Sequence, residues 1–131
     1  IDTDLLITEK TGRTPSDIIT KDGEAAFRKI ESETIKEISL LNSVIIATGG
    51  GAVLKSENIY NLKKNGVIVF IDRDVNMLNT TSDRPLSLNR EELFKRYNER
   101  YGLYCSAADF IISGEMSTSE KADIIERKMP L

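Results

Sequence analysis

The sequence predicts an α/β fold built around a largely parallel sheet. Segments with helical periodicity alternate with short β-branched runs, which is the order expected when helices connect parallel strands. Residues 44–48 (VIIAT) show no polar alternation, as is typical of a strand covered on both faces. The 131 residues contain no repeat and no Pro/Gly/Ser-rich linker, so we expect residues 1–131 to form a single domain.

Three helices are predicted in the first third of the chain. The first covers residues 4–10. The second follows Thr14, a residue type that favours the N-cap position, and has Pro15 in its first turn. The third covers about 24–41, where apolar residues recur at spacings of three and four.

Strands and helices alternate in the rest of the chain, as expected for βαβ units. The strand at 44–48 runs into three consecutive glycines. The remaining predicted elements are, in order, a helix at 56–64, a strand at 67–71, a helical turn from 74 to 78, a helix from 89 to about 101, a strand at 109–112 and a helix at 119–128.

Composition and charge exclude several classes of function. Eighteen Lys and Arg stand against 21 Asp and Glu, for a net charge of −3, so we expect no binding to nucleic acid or to an anionic membrane surface. There is no histidine, which excludes a histidine base and histidine metal sites. One cysteine allows no intrachain disulfide, and no apolar run approaches the length of a membrane helix. We therefore expect a cytoplasmic protein.

Charged residues in the first helices are candidates for binding and proton transfer. Asp2 and Asp4 stand at a helix start, where one acid could lie near a magnesium ion and the other could accept a hydrogen bond from a substrate hydroxyl. An N-cap residue beside a solvated acid is the alternative. Arg28 and Glu31 are three residues apart on one helix face, so the acid could orient the guanidinium toward an anion, or the two could form a solvated ion pair.

Three further features point to anion binding. Gly49, Gly50 and Gly51 follow a predicted strand, which favours a backbone that approaches a ligand closely, although a tight turn would also use glycine. Arg84 lies in a polar segment that could form a mobile loop over phosphates. Arg100 lies near the end of its helix, where the helix dipole alone would favour a cation.

Several short motifs occur in a fixed order along the chain. They are Asp2-Thr3-Asp4, Lys10-Thr11-Gly12-Arg13, Asp22-Gly23-Glu24, Phe27-Arg28 with Glu31, residues 47–53 (ATGGGAV), Arg84-Pro85-Leu86, and Arg100 with Leu103-Tyr104 and Ala108-Asp109. In this order they resemble shikimate kinase over residues 2–109. The resemblance implies a P-loop-kinase-like three-layer α/β/α fold with a parallel sheet.

The resemblance also implies roles for the residues around the substrate. Asp4 would bind the shikimate hydroxyls and take the proton of the attacking one. Arg28 and Arg100 would clamp the ring carboxylate, with Glu31 orienting Arg28. Gly50 would donate its backbone N–H to the substrate, with Gly49 and Gly51 beside it.

The nucleotide side of the reaction is implied in the same way. Arg84, in a lid at about 79–89, would close over the phosphates of ATP, and Asp2 would lie near Mg²⁺ and act on it through water. The implied reaction is the ATP-dependent phosphorylation of shikimate to shikimate 3-phosphate, on the route to chorismate and the aromatic amino acids. The expected partner is the small molecule shikimate.

One motif of the family does not occur in these residues. P-loop kinases carry a G-x-x-x-x-G-K-[ST] loop that holds the nucleotide phosphates, and no glycine of this sequence is followed by lysine. We therefore expect the family's N-terminal strand and phosphate loop to be missing from this chain. The expected state is a monomer, fused to or completed by an N-terminal segment, and the chain as given is expected to lack activity.

Three alternatives remain open from the sequence. A different small-molecule P-loop kinase, such as a gluconate kinase, accounts less well for the glycines and does not need the arginine pair. A non-catalytic module would bind shikimate without turnover. A truncated remnant would expose apolar surface and fold poorly.

Overall fold

The structure, a computed structural model, describes residues 1–74 and 90–129. Within them, helices surround a small parallel sheet in an α/β arrangement. In chain order the elements are α1 (Thr3–Thr11), α2 (Pro15–Asp22), α3 (Glu24–Ile38), a 3-10 helix (Ala52–Leu54), α4 (Ser56–Lys64), β1 (Val69–Ile71), α5 (Arg90–Ala107), β2 (Phe110–Ile112) and α6 (Thr118–Lys128).

The starts of the first two helices follow from their capping residues. The Asp2 carboxylate accepts hydrogen bonds from two backbone N–H groups at the start of α1, and the Thr14 hydroxyl accepts one from Asp17 at the start of α2. Each bond pairs an N–H group that has no partner inside the helix. The three helices predicted between residues 4 and 41 are confirmed, and α3 ends three residues earlier than predicted.

An apolar core joins the first three helices. Ile7 of α1, Ile18 of α2 and Phe27 of α3 pack together and are buried. Helix α3 also contacts α4 and the 3-10 helix. It therefore runs between the apolar core and the glycine segment, which places side chains of its other face beside those glycines.

Strands β1 and β2 pair in parallel, as predicted. Val69 lies opposite Phe110, and Ile71 lies opposite Ile112. Just before the strands, the Asp109 carboxylate accepts a hydrogen bond from the backbone N–H of Ile68 at 2.7 Å, and the backbone N–H of Asp109 donates to the carbonyl oxygen of Ile68 at 2.8 Å. The apolar run at 67–71 also predicts a buried strand, but β1 covers only Val69–Ile71 and its Ile71 is exposed.

The prediction of a doubly covered strand at residues 44–48 is wrong for the part of the chain that the structure describes. Only Ala47 forms a ladder contact, an isolated parallel bridge to Asp2. The backbone N–H of Ala47 donates to Ile1, and the N–H of Thr3 donates to Ala47. No described strand pairs with the segment on its other side, and Ile45 is 87% exposed. A β-branched run predicts extended backbone, but burial also requires neighbours on both sides.

The longest helix extends further than the sequence predicts. Helix α5 continues through Gly102 to Ala107, because the turn after Gly102 buries Ala107 and places Tyr104 against the glycine segment. The closing helix α6 begins with a capping box between Ser117 and Glu120. The helical turn predicted at 74–78 lies outside the described residues beyond residue 74.

No helix in residues 1–74 or 90–129 is both long enough and apolar enough to cross a membrane.

Candidate active site

A cavity of about 510 Å³ opens beside the glycine segment 49–51. Its wall combines the start of α1, the middle of α3, the glycine segment, the region around β1 and one face of α5. All seven residues expected to bind substrate line it, and these are Asp4, Arg28, Glu31, Gly49, Gly50, Gly51 and Arg100. The fold therefore brings together residues that are separated by up to 96 positions in the sequence.

Arg28 is held by two carboxylates on its own helix. Its Nη1 donates to Oε1 of Glu31 at 2.9 Å, and its Nε and Nη2 each donate to Oε1 of Glu24 at 3.3 Å. Arg28 is 8% exposed and Glu31 is 1% exposed, so they form a buried pair and not the solvated pair considered from the sequence. A guanidinium has five N–H donors, and these contacts with described residues leave donors for an anion in the cavity.

Glu31 is a buried acid with one oxygen committed to Arg28. Burial raises the pKa of the Glu31 carboxyl, and the ion pair with Arg28 opposes that rise. Its second oxygen, Oε2, has no hydrogen-bond partner among the described residues and points toward Gly49. The nearby Asp4 carboxylate also raises the pKa of Glu31, which shows that the two acids are close enough to interact.

The three glycines bring the backbone close to charged and aromatic side chains of the cavity. A Cβ atom on Gly51 would collide with the Arg28 guanidinium. A Cβ on Gly50 would lie 3.0 Å from Oη of Tyr104 and 3.7 Å from Nη1 of Arg100. At Gly49 the same atom would lie at an ordinary contact distance, 3.5 Å from Oδ1 of Asp4. The backbone of Gly51 thus leaves the space that Arg28 occupies, which a larger residue would fill.

Aromatic residues fix α5 against the cavity. Tyr104 donates its hydroxyl to the carbonyl oxygen of Gly50 at 2.7 Å, and its ring lies 5.0 Å from the ring of Phe70. Tyr97 donates to Oδ1 of Asp72 at 2.8 Å, just after β1. These contacts set the position of Arg100 relative to the glycines.

Tyr97 and Asp72 have no role predicted from the sequence. Tyr97, Arg100 and Tyr104 follow one another at spacings of three and four, which places them on one helix face. That spacing was the available signal for Tyr97. Asp72 had no comparable signal, because its hydrogen bond depends on how α5 packs against β1.

Asp2 caps α1 and does not line the cavity. Its Oδ1 accepts from the backbone N–H of Asp4 at 2.9 Å and of Leu5 at 3.1 Å. No group of three or more Asp, Glu or Cys in residues 1–74 and 90–129 could hold a metal ion. A contact of Asp2 with Mg²⁺ through water stays a prediction. Arg84 and the lid at 79–89 fall outside the described residues.

The model of the shikimate kinase family matches residues 1–129. This chain belongs to the shikimate kinase family. A shikimate kinase of Clostridium botulinum (strain Eklund 17B / Type B) is 43% identical over 131 residues, which are 97% of this chain and 79% of that protein. The shikimate kinase of Thermodesulfovibrio yellowstonii is 42% identical over 128 residues, which are 92% of this chain and 73% of that protein.

Solved structures of the family share the fold. Shikimate kinase from Acinetobacter baumannii in complex with shikimate superimposes with a TM-score of 0.86 at 27% identity, over 98% of this chain and 79% of that one. The enzyme from Aquifex aeolicus gives a TM-score of 0.80 at 32% identity, over 96% of this chain and 77% of that one. The predicted P-loop-kinase type of α/β fold is thereby confirmed. Family membership also implies use of a nucleotide and a phosphotransferase class of activity.

Proposed function

We propose that the protein to which these residues belong transfers the γ-phosphoryl group of ATP to the 3-hydroxyl of shikimate. The observation that carries this proposal is the convergence of Asp4, Arg28 and Arg100 on one cavity beside Gly49–Gly51. Guanidinium groups bind a carboxylate strongly and with defined geometry, and a nearby carboxylate can accept the proton of a reacting hydroxyl. The related enzyme from Acinetobacter baumannii was solved with shikimate bound, which supports this choice of substrate.

Arg28 and Arg100 bind the ring carboxylate from two elements, α3 and α5. Glu31 and Glu24 hold the Arg28 side chain in place before the substrate arrives. This preorganisation lowers the entropy cost of binding. Two guanidinium groups on one carboxylate also prevent the ring from rotating, which directs its hydroxyl groups toward Asp4.

Asp4 accepts the proton of the attacking hydroxyl. As the 3-oxygen forms its bond to the γ-phosphorus, the bond from that phosphorus to the bridging β,γ-oxygen breaks, ADP leaves, and the hydroxyl proton moves to the Asp4 carboxylate. The backbone N–H of Gly50 donates to the substrate, as the family resemblance implies. Phosphoryl transfer depends mainly on positioning and charge neutralisation, which fits a site made of arginines, one acid and backbone.

ATP supplies the phosphoryl group, and Mg²⁺ is proposed to accompany it. No group of three or more carboxylates or thiols among the described residues could hold a metal ion, and the 131 residues contain no glycine–lysine phosphate loop. We therefore assign to this chain the shikimate side of the reaction, with Arg84 proposed on the phosphates. The product would be shikimate 3-phosphate, on the route to chorismate and the aromatic amino acids.

The test is product formation by the protein that carries this chain together with a Gly-Lys-Ser/Thr loop. Purified protein is incubated with ATP, Mg²⁺ and shikimate, and shikimate 3-phosphate is followed by ³¹P NMR. Asp4→Asn should lower kcat by about 10²–10⁴-fold, the usual contribution of a general base. Glu9→Gln, an exposed change on the same helix, should leave kcat unchanged. Shikimate binding without product from a protein with an intact phosphate loop would contradict the proposal.

A further inference from the structure

The charge of the cavity differs in sign from the charge of the chain. The whole sequence carries −3, yet the cavity wall holds more arginines than carboxylates. Among the described residues, the arginines that line it are Arg28, Arg73, Arg96 and Arg100, against the carboxylates of Asp4, Glu31 and Asp72. Clustered cations repel one another and are stabilised when an anion binds among them.

Arg96 has no role in the substrate site as derived so far. It lies four residues before Arg100 on α5, and i,i+4 residues are neighbours on a helix surface. Leu93, Arg96, Tyr97, Arg100 and Tyr104 all line the cavity, so this face of α5 is turned toward the substrate site. Arg96 is half-buried, whereas the adjacent Lys95 has a side chain that is 77% exposed.

The electrostatic surroundings of Arg96 connect it to both members of the carboxylate clamp. Burial and the positive charges of Arg100 and Arg28 lower its pKa, while Glu24 and Glu92 oppose the shift. Arg96 also lines the same cavity as Arg28 and Arg100 and lies one helical turn from Arg100, a position at which these charges can interact. An anion bound between those two would interact with Arg96 through the same partly desolvated space, where charges act more strongly than in water.

We propose that Arg96 is a third cationic determinant of substrate binding, which favours an anionic carboxylate in this cavity through its charge. Arg28 and Arg100 supply the direct hydrogen bonds, and Arg96 acts from one helical turn away. Its role is in substrate affinity and positioning and not in proton transfer, because the proton of the reacting hydroxyl is assigned to Asp4. The inference rests on the proposed function, since it takes the bound anion to be shikimate.

The test compares charge removal with charge retention at one position. Shikimate is titrated calorimetrically into the parent protein, Arg96→Gln, Arg96→Lys and the matched control Lys95→Gln. We expect Arg96→Gln to weaken binding about tenfold, the scale of one partly screened charge near the ligand. Arg96→Lys should stay within about threefold of the parent, because it retains the charge, and Lys95→Gln should bind as the parent does.

The salt dependence of shikimate affinity and the steady-state kinetic constants distinguish this role of Arg96 from a purely structural one. The difference between parent and Arg96→Gln should shrink as NaCl is raised, because salt screens the interaction of Arg96 with the ligand. In the active protein, KM for shikimate should rise while kcat stays the same. Equal affinity of Arg96→Gln and parent, or equal losses in Arg96→Gln and Arg96→Lys, would overturn the inference and leave the proposed function standing. A folded parent that does not bind shikimate would overturn both.

Discussion

The position of the Arg28 side chain depends on the backbone of Gly51 as well as on the ion pairs that Arg28 forms. The guanidinium lies where a side chain at position 51 would begin, while Glu31 and Glu24 hold it from the other side. The sequence showed three glycines after a β-branched run and indicated a close approach of backbone to a ligand. The structure shows that Gly51 approaches the residue proposed to bind the ligand.

Gly51→Ala should weaken shikimate binding more than it weakens the fold. The new methyl group would push the flexible end of Arg28 away from Glu31, with a loss of about 1–3 kcal/mol as expected for a charged hydrogen bond. Titration of shikimate and urea unfolding measure the two effects. Gly102→Ala is the control, since a Cβ there meets nothing within 4 Å; if both variants bind shikimate equally well, Gly51 does not position Arg28.

The residues of the site were predictable to different degrees. Asp4, Arg28, Glu31, the glycines and Arg100 came from a resemblance in motif order, and the fold places all of them on one cavity. The burial of the Arg28–Glu31 pair was not predictable, because spacing on a helix is the same for a buried pair and a solvated one. Tyr97 and Asp72 were missed because their bond joins two elements whose packing the sequence does not specify.

At the scale of elements, the start of α1 carries both the helix cap, Asp2, and the acid proposed to accept the substrate proton, Asp4. Asp2 accepts from the N–H of Asp4 itself, so the cap helps to fix the backbone that carries the proposed base. The sequence left open whether Asp2 is an N-cap or acts near Mg²⁺. The cap is present, and a contact of Asp2 with Mg²⁺ through water stays a prediction.

Two substitutions separate these roles of Asp2. Asp2→Ala should lower the free energy of unfolding by about 1 kcal/mol, because the first turn of α1 loses its acceptor. Asp2→Asn retains a capping oxygen and should leave stability nearly unchanged, while it removes the charge and weakens the dependence of activity on Mg²⁺. Urea unfolding and a Mg²⁺ titration of activity measure these effects. An unchanged Mg²⁺ dependence in Asp2→Asn would remove Asp2 from the metal site.

The bond between Tyr97 and Asp72 ties α5 to the end of β1. Burial, together with this bond, raises the pKa of the Tyr97 phenol to about 12 from its ordinary value of 10.0. A folded-state pKa above the unfolded one means that the protonated phenol contributes stability below pH 10. That contribution is lost as the pH rises toward 12.

Tyr97→Phe should lower the free energy of unfolding by about 1 kcal/mol at pH 8, the usual worth of such a hydrogen bond. It should also flatten the fall of stability between pH 10 and 12, which urea unfolding across this range would detect. Tyr60→Phe, an exposed change on α4, serves as the control. If Tyr97→Phe has the parent's free energy of unfolding at pH 8 and the same fall of stability between pH 10 and 12, the bond does not hold α5 in place.

Most elements were predictable because their signals are local. Capping residues at Thr14 and Pro15 and the apolar spacing of α3 predicted helices that the structure contains. The strand prediction at residues 44–48 is wrong for a reason that lies outside the segment, because a strand also needs neighbouring backbone to pair with. Among the described residues, only Asp2 forms such a pair with this segment. The extension of α5 through Gly102 likewise depends on the burial of Ala107 and the contact of Tyr104 with Gly50.

At the scale of the whole molecule, the site is a product of the fold. Helices α1, α3 and α5 each contribute one charged residue proposed to contact the substrate, and the glycine segment lies between them. Among the described residues, the acidic chain thereby lines this cavity with more arginines than carboxylates. Long-range electrostatics should favour the entry of a small anion despite the negative net charge.

The most direct measurement is a calorimetric titration of shikimate into the folded chain, with Arg28→Ala and the exposed neighbour Lys29→Ala in parallel. We expect shikimate to bind without a nucleotide, and Arg28→Ala to lose about 2–5 kcal/mol of binding free energy through removal of a buried charged clamp. Lys29→Ala should bind as the parent does. A folded chain that binds shikimate equally well with and without the Arg28 side chain would contradict the assignment of this cavity.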